Sequence, residues 1–148
     1  SFYTLWYGTV WDFYGTTEYK PVIKKFLNLD VPMEWFKGTI PYAKTCDVYN
    51  NSFINLITQN HEQTITRRTF EIMGSGGFGL TCANTAVREM FGNSGGLAIS
   101  GSPKETLELV EYYRSNKGAY DEVRRNAAVS VQNHTYKDRA EEMIRKMF

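Results

Sequence analysis

The sequence predicts an α/β fold, a doubly wound parallel sheet with additional helices at its C-terminal end. Three observations lead there. Short apolar or aromatic runs of strand length alternate with helically periodic segments through the first hundred residues. One of those runs, "FINLIT", is continuously apolar, the pattern of a strand in a parallel sheet covered on both faces. After Pro103 the strand-like runs stop, and three helical segments follow one another.

Taken in order, "FYTLWYGTV" is rich in aromatic and β-branched residues and ends near Gly8, which predicts a strand followed by a loop. "YKPVIKKFLNL" sets Val22, Ile23, Phe26 and Leu27 on one helical stripe. "VPMEWF" is a short second strand, "YAKTCDVYNN" a short helix after Pro41, and "FINLIT" the third strand. "RRTFEIM" and "AVREMF" are helical, each followed by a strand, "FGLTC" and "GLAIS". Ser102-Pro103-Lys104-Glu105 is a capping box with proline at the first helical position. Behind it lie three apolar stripes: Leu107, Val110 and Tyr113; Val123, Ala127 and Val131; and Tyr136, Ala140, Ile144 and Met147. Thr135 to Asp138 form a second N-cap.

At 148 residues and 42% hydrophobic, the chain has material for one core and is expected to form one domain over residues 1–148. Its formal charge of +1 supplies no whole-protein field to attract nucleic acid or an anionic membrane, so any anion site must be local. About half of the charged residues follow Pro103 and alternate in sign, as on a solvated helix face. Cys46 and Cys82 have no metal-ligand spacing and are too few for a disulfide framework; they are expected to be buried, reduced thiols in a cytoplasmic protein. No stretch has the length of a membrane span. Ser1 runs almost directly into a strand, so the chain is expected to be part of something longer.

"RRTFEIMGSGGFGLT" contains Gly74-Ser75-Gly76-Gly77-Phe78-Gly79, which matches the G-x-G-x-x-G pattern of dinucleotide-binding loops. Such a loop must leave a strand and enter a helix, so that helix N-terminal N–H groups face the pyrophosphate. Here the order is reversed: the glycines follow a helix and precede a strand, which predicts a helix C-cap and a tight turn.

The opposite end of the same helix carries more chemistry. Thr66 is placed to be its N-cap, with Arg67 and Arg68 in the first turn, where cations oppose the helix dipole. Two readings are open: a bound phosphate between the arginines and the backbone N–H groups, or surface pairs with Glu62 or other carboxylates. Glu71, one turn on, has two readings as well. It can accept hydrogen bonds from a ribose diol, or pair with Arg67 at i, i+4 spacing.

Together, "RRTFEIMGSGGFGLT", "VREMF" and "NHTYKDRAEEMI" resemble the C-terminal half of GT-B glycosyltransferases, and most closely the CgeB-like group. The resemblance is carried by Arg68, Phe70, Glu71, Gly76, Gly77, Phe91, His134, Thr135, Tyr136 and Arg139. "GTIPYAKTCDVYNNSFINL" adds Gly38, Tyr49, Asn50, Ser52, Ile54, Asn55 and Leu56. It spans almost the whole chain, with several separated motifs in order.

The resemblance implies a Rossmann-like sheet as one half of a GT-B fold, binding the nucleotide of a UDP-type or GDP-type sugar donor, with no cofactor or metal. An N-terminal acceptor-binding domain is the implied partner, and membrane association, if any, would run through that domain. Glu71 takes the place of the second glutamate of the E-x7-E pair of related glycosyltransferases, which holds the ribose hydroxyls. The first glutamate's place is held by Gln63, with Glu62 beside it. Arg68, with Arg67, would neutralise the diphosphate leaving group. Thr66 opens that helix, and Lys20 stands near the family's phosphate-binding lysine. Gly8 and Thr9 would form the loop after the first strand, where Val10-Trp11 replaces the usual arginine. Thr39 and Ile40 would flank the base. His61 is expected in the loop before the arginine helix, and His134 and Tyr136 are expected to close the last helix onto the core. Two other readings stand beside this one: a non-catalytic α/β interaction module, and a degenerate glycosyltransferase domain.

Overall fold

A computed structural model describes residues 6–7, 36–38 and 40–148, in two units, residues 1–45 and 46–148. In the first unit, β1 (Trp6–Tyr7) and β2 (Phe36–Gly38) run parallel, pairing Trp6 with Phe36 and Tyr7 with Gly38. β2 takes in the end of "VPMEWF" and continues to Gly38. The helix expected around Val22 to Leu27 lies outside the described residues. Pro41 precedes a 3-10 turn, Tyr42–Lys44.

α1 (Thr45–Asn51) begins at the unit boundary. The second unit then alternates β3 (Asn55–Ile57), α2 (Arg67–Gly74), β4 (Gly79–Cys82), α3 (Thr85–Phe91) and β5 (Ala98–Ser100). Three helices close it: α4 (Pro103–Ser115), α5 (Lys117–Val131) and α6 (Tyr136–Met147). β3, β4 and β5 form a parallel sheet in that order, with Leu56, Leu80 and Ala98 in one row and Ile57, Thr81 and Ile99 in the next. Alternate rows face opposite sides of a sheet, so these two rows define two cores.

On the Ile57 side lie Ile72 and Met73 of α2, Val87 and Phe91 of α3, and Ala127 and Val131 of α5. On the Leu80 side lie Phe78, Tyr120 and Val123, flanked by Leu109, Val110 and Tyr113 of α4. α5 thus contributes its first half to one core and its second half to the other. This is the expected α/β architecture, a Rossmann-like parallel sheet with helices on both faces.

The glycine-rich segment is a turn, as its position after a helix requires. α2 ends at Gly74, Gly76 adopts a positive φ of 77°, and its N–H donates to the Met73 carbonyl while that of Gly77 donates to Ile72. This pair of bonds is the Schellman arrangement that terminates helices. A Cβ on Gly77 would lie 2.9 Å from the Tyr49 carbonyl oxygen, so α1 packs against the turn through backbone. The Asn55 side chain seals that contact, donating to the carbonyls of Tyr49 and Phe78 at 3.0 Å each. Arg124 Nε donates to the Gly76 carbonyl at 2.8 Å, setting a protein cation at the negative end of the α2 dipole.

Several expectations need correction. "FINLIT" is not covered on both faces: Leu56 is 55% exposed, on the outer strand of the three described in this sheet. Cys46 and Cys82 are free but exposed; Cys82 ends β4, where the strand leaves the cover of the helices. α4 packs half-buried Leu109, Val110 and Tyr113 against the core, while Leu107 points outward. The α6 stripe is also outward, with Tyr136, Ile144 and Met147 all exposed.

The caps follow the sequence closely. Ser102 Oγ accepts from the Glu105 N–H, although the Glu105 carboxylate reaches back to Gly101 rather than to Ser102 itself. Thr135 and Asp138 form the complete reciprocal box, and these bonds hold the Asp138 carboxyl below its usual range. Ion pairs such as Lys104–Glu108 and Lys117–Asp121 line the outer helix faces.

Candidate functional site

In a doubly wound sheet, ligands bind outside the carboxyl ends of the strands, where helices begin. Three helices of the second unit begin there, and their N-termini differ. At α3, Asn84 Oδ1 accepts from the Val87 N–H at 2.7 Å, and Glu62 accepts from the Thr85 N–H and hydroxyl at 2.9 and 2.8 Å. At α4, Ser102 and Glu105 cap the first turn. At α2, Thr66 is the N-cap residue, yet its side chain makes no cap hydrogen bond.

The first turn of α2 instead carries Arg67 and Arg68, both exposed, with Glu71 one turn on. Arg67 Nε pairs with Glu71 Oε1 at 2.8 Å, so the i, i+4 pair is formed. A carboxylate accepts several hydrogen bonds, so this contact does not exhaust Glu71. Glu62 is engaged at the N-terminus of α3, and Glu71 is a carboxylate that pairs with Arg67.

Tyr49, from α1, stands against the same turn. Burial raises its phenol pKa above the ordinary value, and the Arg68 guanidinium opposes this by charge and by donating to the hydroxyl. Nearby Glu71 reinforces the rise. The Tyr49 backbone carbonyl is fixed by Asn55 and by the close approach of Gly77, so the ring beside Arg68 is carried on a fixed backbone.

Beneath the turn, Gln59 follows β3 by two residues. Its Oε1 accepts from the Thr66 N–H at 2.9 Å, and its Nε2 donates to the hydroxyls of Thr69 and Thr81 at 3.1 and 2.9 Å. Both threonines are buried. The loop between is held by Asn84, whose Nδ2 donates to the carbonyls of His61 and Thr64 at 2.8 Å each.

Of the residues expected at the site, Thr66, Arg67, Arg68 and Glu71 are brought together on α2. Gly8, Thr9, Lys20 and Thr39 lie outside the described residues. Ile40 is half-buried in the first unit. His61 is exposed in the loop before α2 and accepts from the Gln63 N–H. His134 packs at 6.0 Å from the Phe70 ring and contacts Arg139, a structural position, whereas Tyr136 is exposed and closes nothing among the described residues. Gln59, Tyr49 and Asn84 were not among the expected site residues. A polar side chain directly after an apolar strand run is the sequence signal that points to Gln59.

Among the described residues, no three His, Cys, Asp or Glu gather as metal ligands, and no helix is long and apolar enough to cross a membrane. The chain matches a family model described as glycosyl transferase-like over residues 7–145. No curated protein and no solved structure matches it. The match takes in the sheet, the α2 site and the C-terminal helices together, and on it the chain belongs to the glycosyl transferase-like family.

Proposed function

We propose that this chain is the donor-binding half of a CgeB-like glycosyltransferase, holding a UDP- or GDP-sugar while a separate N-terminal domain presents the acceptor. The observation that carries the reading is the α2 N-terminus: it has no side-chain cap and carries exposed Arg67 and Arg68 at the carboxyl edge of the sheet. In this reading the Arg67 and Arg68 N–H groups and the two guanidinium groups would bind one anion there.

In this reading Arg68, held by Tyr49, stabilises the charge that develops on the leaving diphosphate, and such stabilisation usually lowers the barrier more than any other single effect. Arg67 assists it, and Thr66 offers its hydroxyl. Glu71 keeps Arg67 on one side and accepts from the ribose diol on the other. Gly8, Thr9 and Lys20 would supply the remaining phosphate contacts, and Thr39 and Ile40 would flank the base. Alone, the domain turns over little, because acceptor positioning and cleft closure are supplied by the other half.

A degenerate domain is the second reading, favoured by one observation: Glu62, beside the place of the missing first glutamate, is occupied at α3. Titration calorimetry with UDP and GDP separates the two. Binding of one nucleotide, lost in both Arg68→Ala and Glu71→Ala, is the expected result. A folded wild type that binds neither would leave the degenerate reading standing.

A further inference from the structure

We propose that Gln59 is a positioning residue for the donor diphosphate: it fixes the entry to α2 from the sheet side and thereby sets the height at which the Arg67 and Arg68 N–H groups meet the ligand. The inference rests on the donor-binding reading above.

An N-cap threonine ordinarily uses its hydroxyl to accept from the N–H of the second or third helical residue. Thr66 does not. It has the extended backbone of an N-cap, φ −67° and ψ 143°, but its Oγ1 lies 3.3 Å from Thr69 Oγ1 and makes no cap bond. The entry is fixed by Gln59 instead, through the Thr66 N–H and through Thr69, which belongs to the same turn. Its remaining bond, to Thr81, ties the turn to the central strand, where Thr81 Oγ1 also reaches the Ile57 carbonyl at 3.0 Å.

The chemistry suits an amide, the uncharged side chain of this size that both accepts and donates. Here it makes one accepted and two donated bonds, and a primary amide supplies both kinds. The two hydroxyls it meets are buried, so their bonds are protected from water. A helix held from below in this way keeps a fixed height above the strand ends.

Gln59→Glu is the discriminating substitution. The carboxylate still accepts from the Thr66 N–H, and the Thr69 hydroxyl can turn to donate to it, while Thr81 donates only by giving up its bond to the Ile57 carbonyl; a negative charge now lies under the phosphate position. The expected result at about pH 7.5 is a loss of about tenfold or more in affinity for UDP or GDP, from like-charge repulsion. Affinity for uridine or guanosine, followed by NMR shift titration, stays unchanged. The defect shrinks as the pH falls through the carboxylate range, and the unchanged nucleoside affinity is the part that a purely structural role would not produce.

In the wild type, the Gln59 side-chain amide signals are expected to move with UDP or GDP and not with the nucleosides; this readout stands even if the variant does not fold. Wild-type affinity for the diphosphate in the variant, an equal loss for nucleoside and diphosphate, or unmoved Gln59 signals on binding would each overturn the inference alone. A wild type that binds no nucleotide would overturn the donor reading, and this role with it.

Discussion

Phe78→Ala is expected to destabilise the second unit by about 3–5 kcal/mol, the range for removing a fully buried phenylalanine. Phe78 is completely buried at the end of the glycine turn. Its ring stacks on Tyr120 at 4.8 Å and 5°, and meets the edge of Tyr113 at 4.7 Å. Tyr120 stacks on its other side with Phe53 at 4.8 Å and donates its hydroxyl to the Phe53 carbonyl at 2.8 Å. One deletion therefore opens a cavity between the sheet, α4 and α5, and removes one end of an aromatic stack. Urea denaturation of the purified chain measures the effect; a loss under about 1 kcal/mol would mean that the site collapses to fill the gap.

Arg68→Glu is expected to move binding and stability in different ways. A hydrogen bond to a charged group contributes about 1.5–3 kcal/mol, and reversing the charge adds repulsion, so diphosphate affinity should fall about a hundredfold or more. Stability should change by less than about 1 kcal/mol, because removing a cation from the first turn relieves an unfavourable dipole interaction of about 0.3–1 kcal/mol while the Tyr49 contact is lost. The Tyr49 pKa, already raised by burial, should climb further without the opposing guanidinium. The phenol is neutral at about pH 7 in both proteins, so the difference is read only in alkaline titration. Equal losses of binding and stability would show that Arg68 is structural.

Most of the second unit was legible because each element carried its own signal. α2 to β5 fall where period and caps place them, and the strand and helix order around Gly74 to Gly79 was enough to reject the dinucleotide loop. The site was legible where its residues share one helix turn: Arg67, Arg68 and Glu71 are neighbours by spacing alone. Gln59 and Arg124 were not, because their partners come from other elements. Gln59 reaches Thr81 from 22 residues away, and Arg124 reaches Gly76 from 48. The α6 stripe shows a different limit. Periodicity marks an apolar face but says nothing of what covers it, and Tyr136, Ile144 and Met147 stay exposed. Cys82 failed as a buried residue because burial tendency is an average over positions, while the end of a strand at the carboxyl edge faces outward.

Donor binding at the α2 N-terminus is tested by a two-dimensional NMR titration of the isotopically labelled chain with UDP and with GDP, following backbone amides. Saturable shifts are expected, largest at Thr66, Arg67, Arg68 and Thr69, with the Gly76 and Gly77 amides little changed. Shifts centred on the glycine turn, with the first turn of α2 unmoved, would contradict it.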